Sequence, residues 1–280
     1  MLTFNRVREA ANTYVVDIPD IESAVACPFV LNGSGSRPYN DILNRSGAGR
    51  ISAERFAEVA HTVSGLLLAQ ADGVECVGAE DVRTAMIDGS LEDDSLNYTG
   101  VDCAGFVFGV LRQSIGEKLD HLITVESDAV HRVLGMYNIA DDLYGMSGDR
   151  MTLYDFTKLH EEQGGVYDPL RNVSVSRMKQ STLPVSVNST KDLRPGDIGV
   201  YEPGVDGWGH TMVVTGVKGN RIKARHSGRV DPLSDIGGVS GFSLPVERLA
   251  EDHQGHRGAL TIRRFAAIAT DDSLDLGNAA

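Results

Sequence analysis

The stretch that decides the fold is DCAGFVFGVLRQ, residues 102–113. Asp102 is a helix-capping residue type, since its short carboxylate can accept from an amide one turn on. Every residue from Ala104 to Leu111 is apolar or glycine. The predicted helix therefore has no polar face and must be covered on all sides. Gly105 and Gly109 lie four apart on it. Glycine costs a helix about 1 kcal/mol relative to alanine, so a close backbone approach is the expected reason for both. Cys103 follows the cap and falls in the first turn. The unpaired amides and the macrodipole there favour a thiolate. With a cationic partner, such a thiol titrates at roughly 3.5–7.5, and the same amides can hold an oxyanion. A core cysteine is the plainer alternative.

Downstream, the periodicity changes to strands. Pro195-Gly196-Asp197 is a turn signal leading into Ile198-Gly199-Val200-Tyr201. A β-branched run, His210 to Val217, comes next; Lys218-Gly219-Asn220 turns, and Arg221 to His226 returns. A last strand is expected at about 259–265. Period 2 puts His210, Met212 and Val214 on one face, and Ile222, Ala224 and His226 on one face of the returning strand. Arg221, Lys223 and Arg225 are expected to face solvent. A turn at 218–220 that pairs Val217 with Arg221 sets Met212 opposite His226, with His210 as the diagonal neighbour. A slip of one residue would put the two histidines on opposite faces.

Upstream, Ser52 is placed to cap a helix running to about Ala71, with Phe56, Val59, Ala60, Val63, Leu66 and Leu67 on one face. A shorter helix is expected over 79–87, and residues 32–50 read as a long loop. Between the two halves, 126–137 and 152–163 look helical, and 171–190 is polar with scattered β-branched residues. Helices followed by clustered strands predict an α+β domain.

Composition narrows the function classes. The 280 residues carry 26 Lys+Arg against 39 Asp+Glu, a net charge of −13, and the pI is about 5.0. A nucleic-acid binder needs a basic footprint, and docking on an anionic membrane needs one too, so neither partner is expected. The longest apolar run, near 104–111, is too short to span a bilayer. No apolar leader is visible at the N-terminus, which is compatible with a cytoplasmic protein or one exported by a non-Sec route. Cys27, Cys76 and Cys103 form neither a disulfide framework nor a zinc-type spacing. Cys27 and Cys76 are expected to be small buried hydrophobes.

A thiol, a base and a group orienting that base are the parts of nucleophilic catalysis. Cys103 would attack, His210 would take and return the proton, and His226 would hold the His210 imidazole. The run Thr99-Gly100-Val101-Asp102-Cys103-Ala104-Gly105-Phe106-Val107 resembles the cysteine motif of NlpC-type cysteine peptidases, papain-like cell-wall endopeptidases related to the CHAP amidases. Leu193-Arg194-Pro195-Gly196-Asp197-Ile198 resembles that family's turn before its first core strand, and His210-Thr211-Met212-Val213-Val214-Thr215-Gly216 its histidine strand. The closing Arg263-Arg264-Phe265 also resembles the family's end. The family's aromatic strand before the cysteine is absent, and 107 residues separate Cys103 from His210, more than in compact members.

The resemblance implies a papain-like α+β fold, with an antiparallel sheet packed on a buried helix carrying the nucleophilic cysteine. Residues 1–95 would be an accessory, mostly helical region, 96–270 the hydrolase domain with an insertion at about 116–190, and 271–280 a tail. The implied reaction is hydrolysis of an amide or isopeptide bond through a thioester on Cys103, in a peptide or peptidoglycan fragment. Cys103, His210 and His226 are the implied catalytic residues, with Tyr98, Asp102 and Trp208 as candidate substrate-binding residues. This chemistry calls for no metal and no organic cofactor. Two alternatives stay open: a deamidase or acyltransferase with the same three residues, and a binding module on the same fold.

Overall fold

The computed structural model describes residues 2–30, 51–71, 76–125, 151–164, 173–201, 209–228, 237–249 and 260–266. Among these, the helices are α1 (Phe4–Asn12), α2 (Ala53–Gln70), α3 (Ala79–Ile87), α4 (Cys103–Ile115), α5 (Leu153–Glu162) and α6 (Val175–Gln180). The strands are β1 (Val15–Val16), β2 (Val25–Ala26), β3 (Thr182–Pro184), β4 (Ile198–Tyr201), β5 (His210–Lys218), β6 (Arg221–Gly228), β7 (Gly238–Pro245) and β8 (Leu260–Phe265). The molecule is mixed α+β. Among the described residues no helix is long and apolar enough to cross a membrane.

Five helices start on a side-chain cap. Thr3, Ser52, Asp102, Thr152 and Ser174 each accept the amide three residues on, which satisfies one of the amides a helix start leaves unpaired. The Asp102 carboxylate takes the Gly105 amide at 2.7 Å, as its sequence position predicted.

Helix α4 is the centre of the core. It packs against α1 on one side and against β5 and β6 on another. Ala104 to Leu111 are all buried, which is the burial an all-apolar helix demands. The approach at Gly109 is by a side chain, not the backbone expected: the Tyr14 phenol lies where a Cβ would stand. The Tyr14 ring also meets Phe106 edge-on at 5.2 Å. The same core runs from Leu2, Val7, Phe56, Val63 and Val82 through Phe106 and Phe108 to Ile198, Val213 and Phe265. The helices ahead of Cys103 are thus packed into the centre that carries it.

The main sheet is antiparallel with strand order β3-β8-β4-β5-β6-β7. Its helix-side face carries Ile198, Val200, Val213, Val239 and Phe265. The alternate positions face the other way. There Tyr201, Met212, Ala224, Leu244 and Leu260 form one small cluster, and Val214, Ile222 and Ile262 join Leu193 and Val246 in another.

Other parts of the sequence reading need correction. The stretch read as an insertion to residue 190 supplies β3, an edge strand paired with β8; three residues were too few to show a period. Strand β7 went unread because its glycines and serines blur the alternation. Arg225 does not face open solvent. Its guanidinium is half-buried and reaches the Ala11 carbonyl at 3.5 Å, and burial lowers its affinity for a proton. Cys76 is exposed rather than buried, whereas Cys27 is fully buried. The expected helix at 126–137 and the loop read at 32–50 lie outside the described residues.

The Pro195-Gly196-Asp197 turn is locked to the last strand. The Asp197 carboxylate is fully buried and takes two bonds from Arg264, at 2.6 and 2.7 Å, and one from the Arg194 amide at 2.8 Å. Its backbone carbonyl accepts from Val214 on β5. This ion pair therefore fixes β4, β5 and β8 against one another.

Candidate active site

The register of β5 on β6 places the two histidines. Lys218 pairs with Arg221, Val217 with Ile222 and Gly216 with Lys223. The turn is therefore two residues, Gly219 and Asn220, with Gly219 in the left-handed region at φ 57°. The expected pairing of Val217 with Arg221 is off by one there. The register then shifts between Val214 and Gly216, and Val214 pairs with Ala224 and Val213 with Arg225. Thr215 is the extra residue of a β-bulge. Continued one pair further, the shifted register sets Met212 across from His226. The bulge thus cancels the error at the turn, and both histidines share a face.

The pair is in contact. His210 Nε2 and His226 Nδ1 are 2.8 Å apart, with the rings nearly perpendicular at 85°. Such a bond fixes which nitrogen of each ring looks elsewhere. His210 uses Nε2 for it, so proton exchange with a third group runs through Nδ1. His210 is 8% exposed and stacks on Tyr201, its partner across β4, at 6.4 Å. His226 and Phe242 meet edge-to-face, with ring centroids 5.5 Å apart. Its Nε2 lies 3.2 Å from Ser240 Oγ, and Ser240 is its direct partner on β7. Sequence reasoning missed Ser240, because nine residues separate β6 from β7 and no register could be drawn across them.

Cys103 comes to this end of the sheet on the first turn of α4. The Ser227 hydroxyl, one residue after His226, donates to the Val101 carbonyl at 2.6 Å. Cys103 is two residues further on, at most about 7 Å of chain. Val101 is held from the other side by its amide, which donates to the Pro28 carbonyl at 3.0 Å. Pro28 in turn bridges Gly238 at the start of β7. A Cβ on Gly100 would stand 2.6 Å from the Pro28 carbonyl oxygen, which explains a glycine three before the cysteine. Cys103 itself is partly buried.

The three candidate substrate-binding residues part ways. Asp102 is buried at 7% exposure, with its carboxylate on the Gly105 amide, so its shown role is to start the helix. Tyr98 adopts φ 54°, a rare conformation for a bulky residue. Its phenol covers Gly89, leaving no room for a Cβ there, and the next amide is pinned to the Met86 carbonyl at 2.8 Å. Trp208 lies outside the described residues.

The thiols differ in setting. Burial pushes the Cys27 thiol well up, against the opposing pull of Arg83 and the Val101 amide. Cys27 is therefore a poor nucleophile, although it lies beside the platform that holds Val101. Cys103 is partly buried at the start of α4.

No family model, curated protein or solved structure matches this chain. The arrangement of these residues is therefore the ground on which any function must be argued.

Proposed function

We propose that the protein is a papain-like cysteine hydrolase of the NlpC type, cutting an amide or isopeptide bond in a peptide, with the stem peptides of peptidoglycan as the favoured substrate. One observation carries the reading: the 2.8 Å bond between His210 and His226, at the sheet end where Ser227 holds the approach to Cys103. A base, the group that orients it, and a thiol at a helix start are the parts acyl transfer needs.

In this reading His210 Nδ1 takes the Cys103 proton. The thiolate adds to the scissile carbonyl, and the oxyanion is held by the Cys103 amide, to which an α-helix offers no carbonyl of its own. The C–N bond breaks, and His210 gives its proton to the leaving amine. A thioester remains. Water, deprotonated by His210, adds to it; the C–S bond breaks and the carboxylate product leaves. Protons balance over the cycle, and no redox partner is consumed. The substrate class rests on the sequence resemblance.

The test is pH-resolved alkylation by iodoacetamide, read by mass spectrometry in wild type and His210→Ala. Cys27 is the buried reference and Cys76 the exposed one. An activated pair predicts that Cys103 reacts well below pH 8 and that the variant loses this. Digestion of purified muropeptides then tests the substrate, and added amine tests for transfer. A Cys103 no more reactive than Cys76, with no cleavage, overturns the reading.

A further inference from the structure

We propose that Ser240 is a positioning residue: it is the terminal acceptor of a hydrogen-bond chain running from His210 through His226, and it is required when His210 carries charge. The proposal rests on the hydrolase reading above for its consequence, but its geometry does not.

A neutral imidazole has one donor and one acceptor nitrogen, whereas an imidazolium has two donors. Once His210 holds the thiol proton, its Nε2 can only donate. His226 Nδ1, 2.8 Å away, must then accept, so the proton of neutral His226 sits on Nε2. That nitrogen is 3.2 Å from Ser240 Oγ, which must accept in turn. The opposite order, Ser240 donating to His226 and His226 to His210, is self-consistent only while His210 is neutral with its proton on Nδ1. In that tautomer His210 cannot take a proton from Cys103. A hydroxyl can turn to serve either order, so Ser240 lets the chain reverse as His210 charges.

The sheet builds this terminus. His226 and Ser240 are directly paired across β6 and β7, so their side chains share a face. His210, Ser240 and Phe242 face the His226 ring. The neighbours in sequence point away from it, Arg225 toward Ala11 and Ser227 toward Val101.

The experiment compares wild type, Ser240→Ala and Ser240→Thr by ¹⁵N–¹H correlation of labelled histidine, assigned with His226→Asn, and by iodoacetamide alkylation of Cys103. With His210 charged, wild type and Ser240→Thr should show neutral His226 protonated on Nε2. In Ser240→Ala that population should fall, and Cys103 alkylation at neutral pH should drop about three- to tenfold, the size of one hydrogen bond between neutral groups. Threonine should restore the rate. Wild-type His226 protonated on Nδ1 while His210 is charged overturns the proposal. So does an unchanged rate in Ser240→Ala when His210→Ala abolishes the reaction, an outcome that leaves the hydrolase reading standing. If His210→Ala has no effect, the hydrolase reading falls, and the tautomer in wild type and Ser240→Ala still decides the hydrogen-bond chain.

Discussion

The hydroxyl of Ser227 donates to the carbonyl of Val101 across 126 residues of sequence, at 2.6 Å and with both groups buried. This bond joins the strand bearing His226 to the chain that leads into Cys103. Ser227→Ala should leave a buried carbonyl one partner short, at a cost of about 1–3 kcal/mol. Urea unfolding measures that cost. In the folded variant Cys103 alkylation should fall several-fold while Cys76 is unaffected. An unchanged Cys103 rate would mean that the bond plays no part in placing the thiol.

Gly228 makes room for the His226 ring. A Cβ there would stand 2.9 Å from Cε1 and 3.0 Å from Nδ1. Gly228→Ala should tilt the imidazole away from His210, and any hydrolytic turnover should fall about tenfold or more for the loss of one charge-linked hydrogen bond. The ¹⁵N signals of both histidines should change together. A variant with wild-type signals would show that the ring has slack.

Thr215 is the extra residue of the β5 bulge. Deleting it joins Val214 to Gly216, and the unbroken ladder still pairs Val214 with Ala224 and Gly216 with Lys223, so His210 and His226 keep a common face. The deletion should therefore retain Cys103 activation in the fraction that folds. Thr215→Val keeps the extra residue and loses a 3.3 Å hydroxyl bond to the Lys223 carbonyl. It should retain reactivity too, with a stability change of about 1 kcal/mol. Circular dichroism with alkylation checks both, and a folded deletion variant with an inert Cys103 would show that the bulge itself aims His210.

Arg264 compensates a fully buried carboxylate. Removing one partner of a buried ion pair costs about 3–5 kcal/mol, and Arg264→Met is expected in that range at neutral pH. Burial already raises the Asp197 carboxyl, against the pull of Arg264, so without the arginine it rises further. A carboxyl whose folded value is raised favours folding below the unfolded value, about 4, and this advantage is lost as pH rises through the folded value. The deficit of Arg264→Met should therefore shrink toward pH 4 and widen toward pH 8. Urea midpoints across that range test the sign.

The sequence carried more of the fold than of the site. Local sequence pattern marked α2, α3, α4 and α5, and capping residues marked the starts of α2 and α4, because each helix is patterned by its own residues. β4, β5, β6 and β8 were legible for the same local reason. β3 and β7 were not, because a three-residue edge strand and a Gly-Ser-rich one are defined by their partners. The histidine pairing was reached through a turn wrong by one residue, since a bulge at Thr215 leaves no mark in the period. Ser240 was invisible because its place depends on β7. The contribution of the Pro28 carbonyl to holding Val101 was missed for a related reason. It is made by backbone groups, which every residue carries.

The strand order has a consequence for how the protein is made. The last strand of the sheet, Leu260–Phe265, lies between β3 and β4, and Phe265 joins the same core as Leu2. A ribosome delivers β3 and β4 with a vacancy between them, and the Asp197 carboxylate waits there for Arg264. The sheet cannot close on a nascent chain until residue 265 has been made. Cys103 is synthesised more than a hundred residues earlier, so the core around its helix stays incomplete until β8 supplies Phe265.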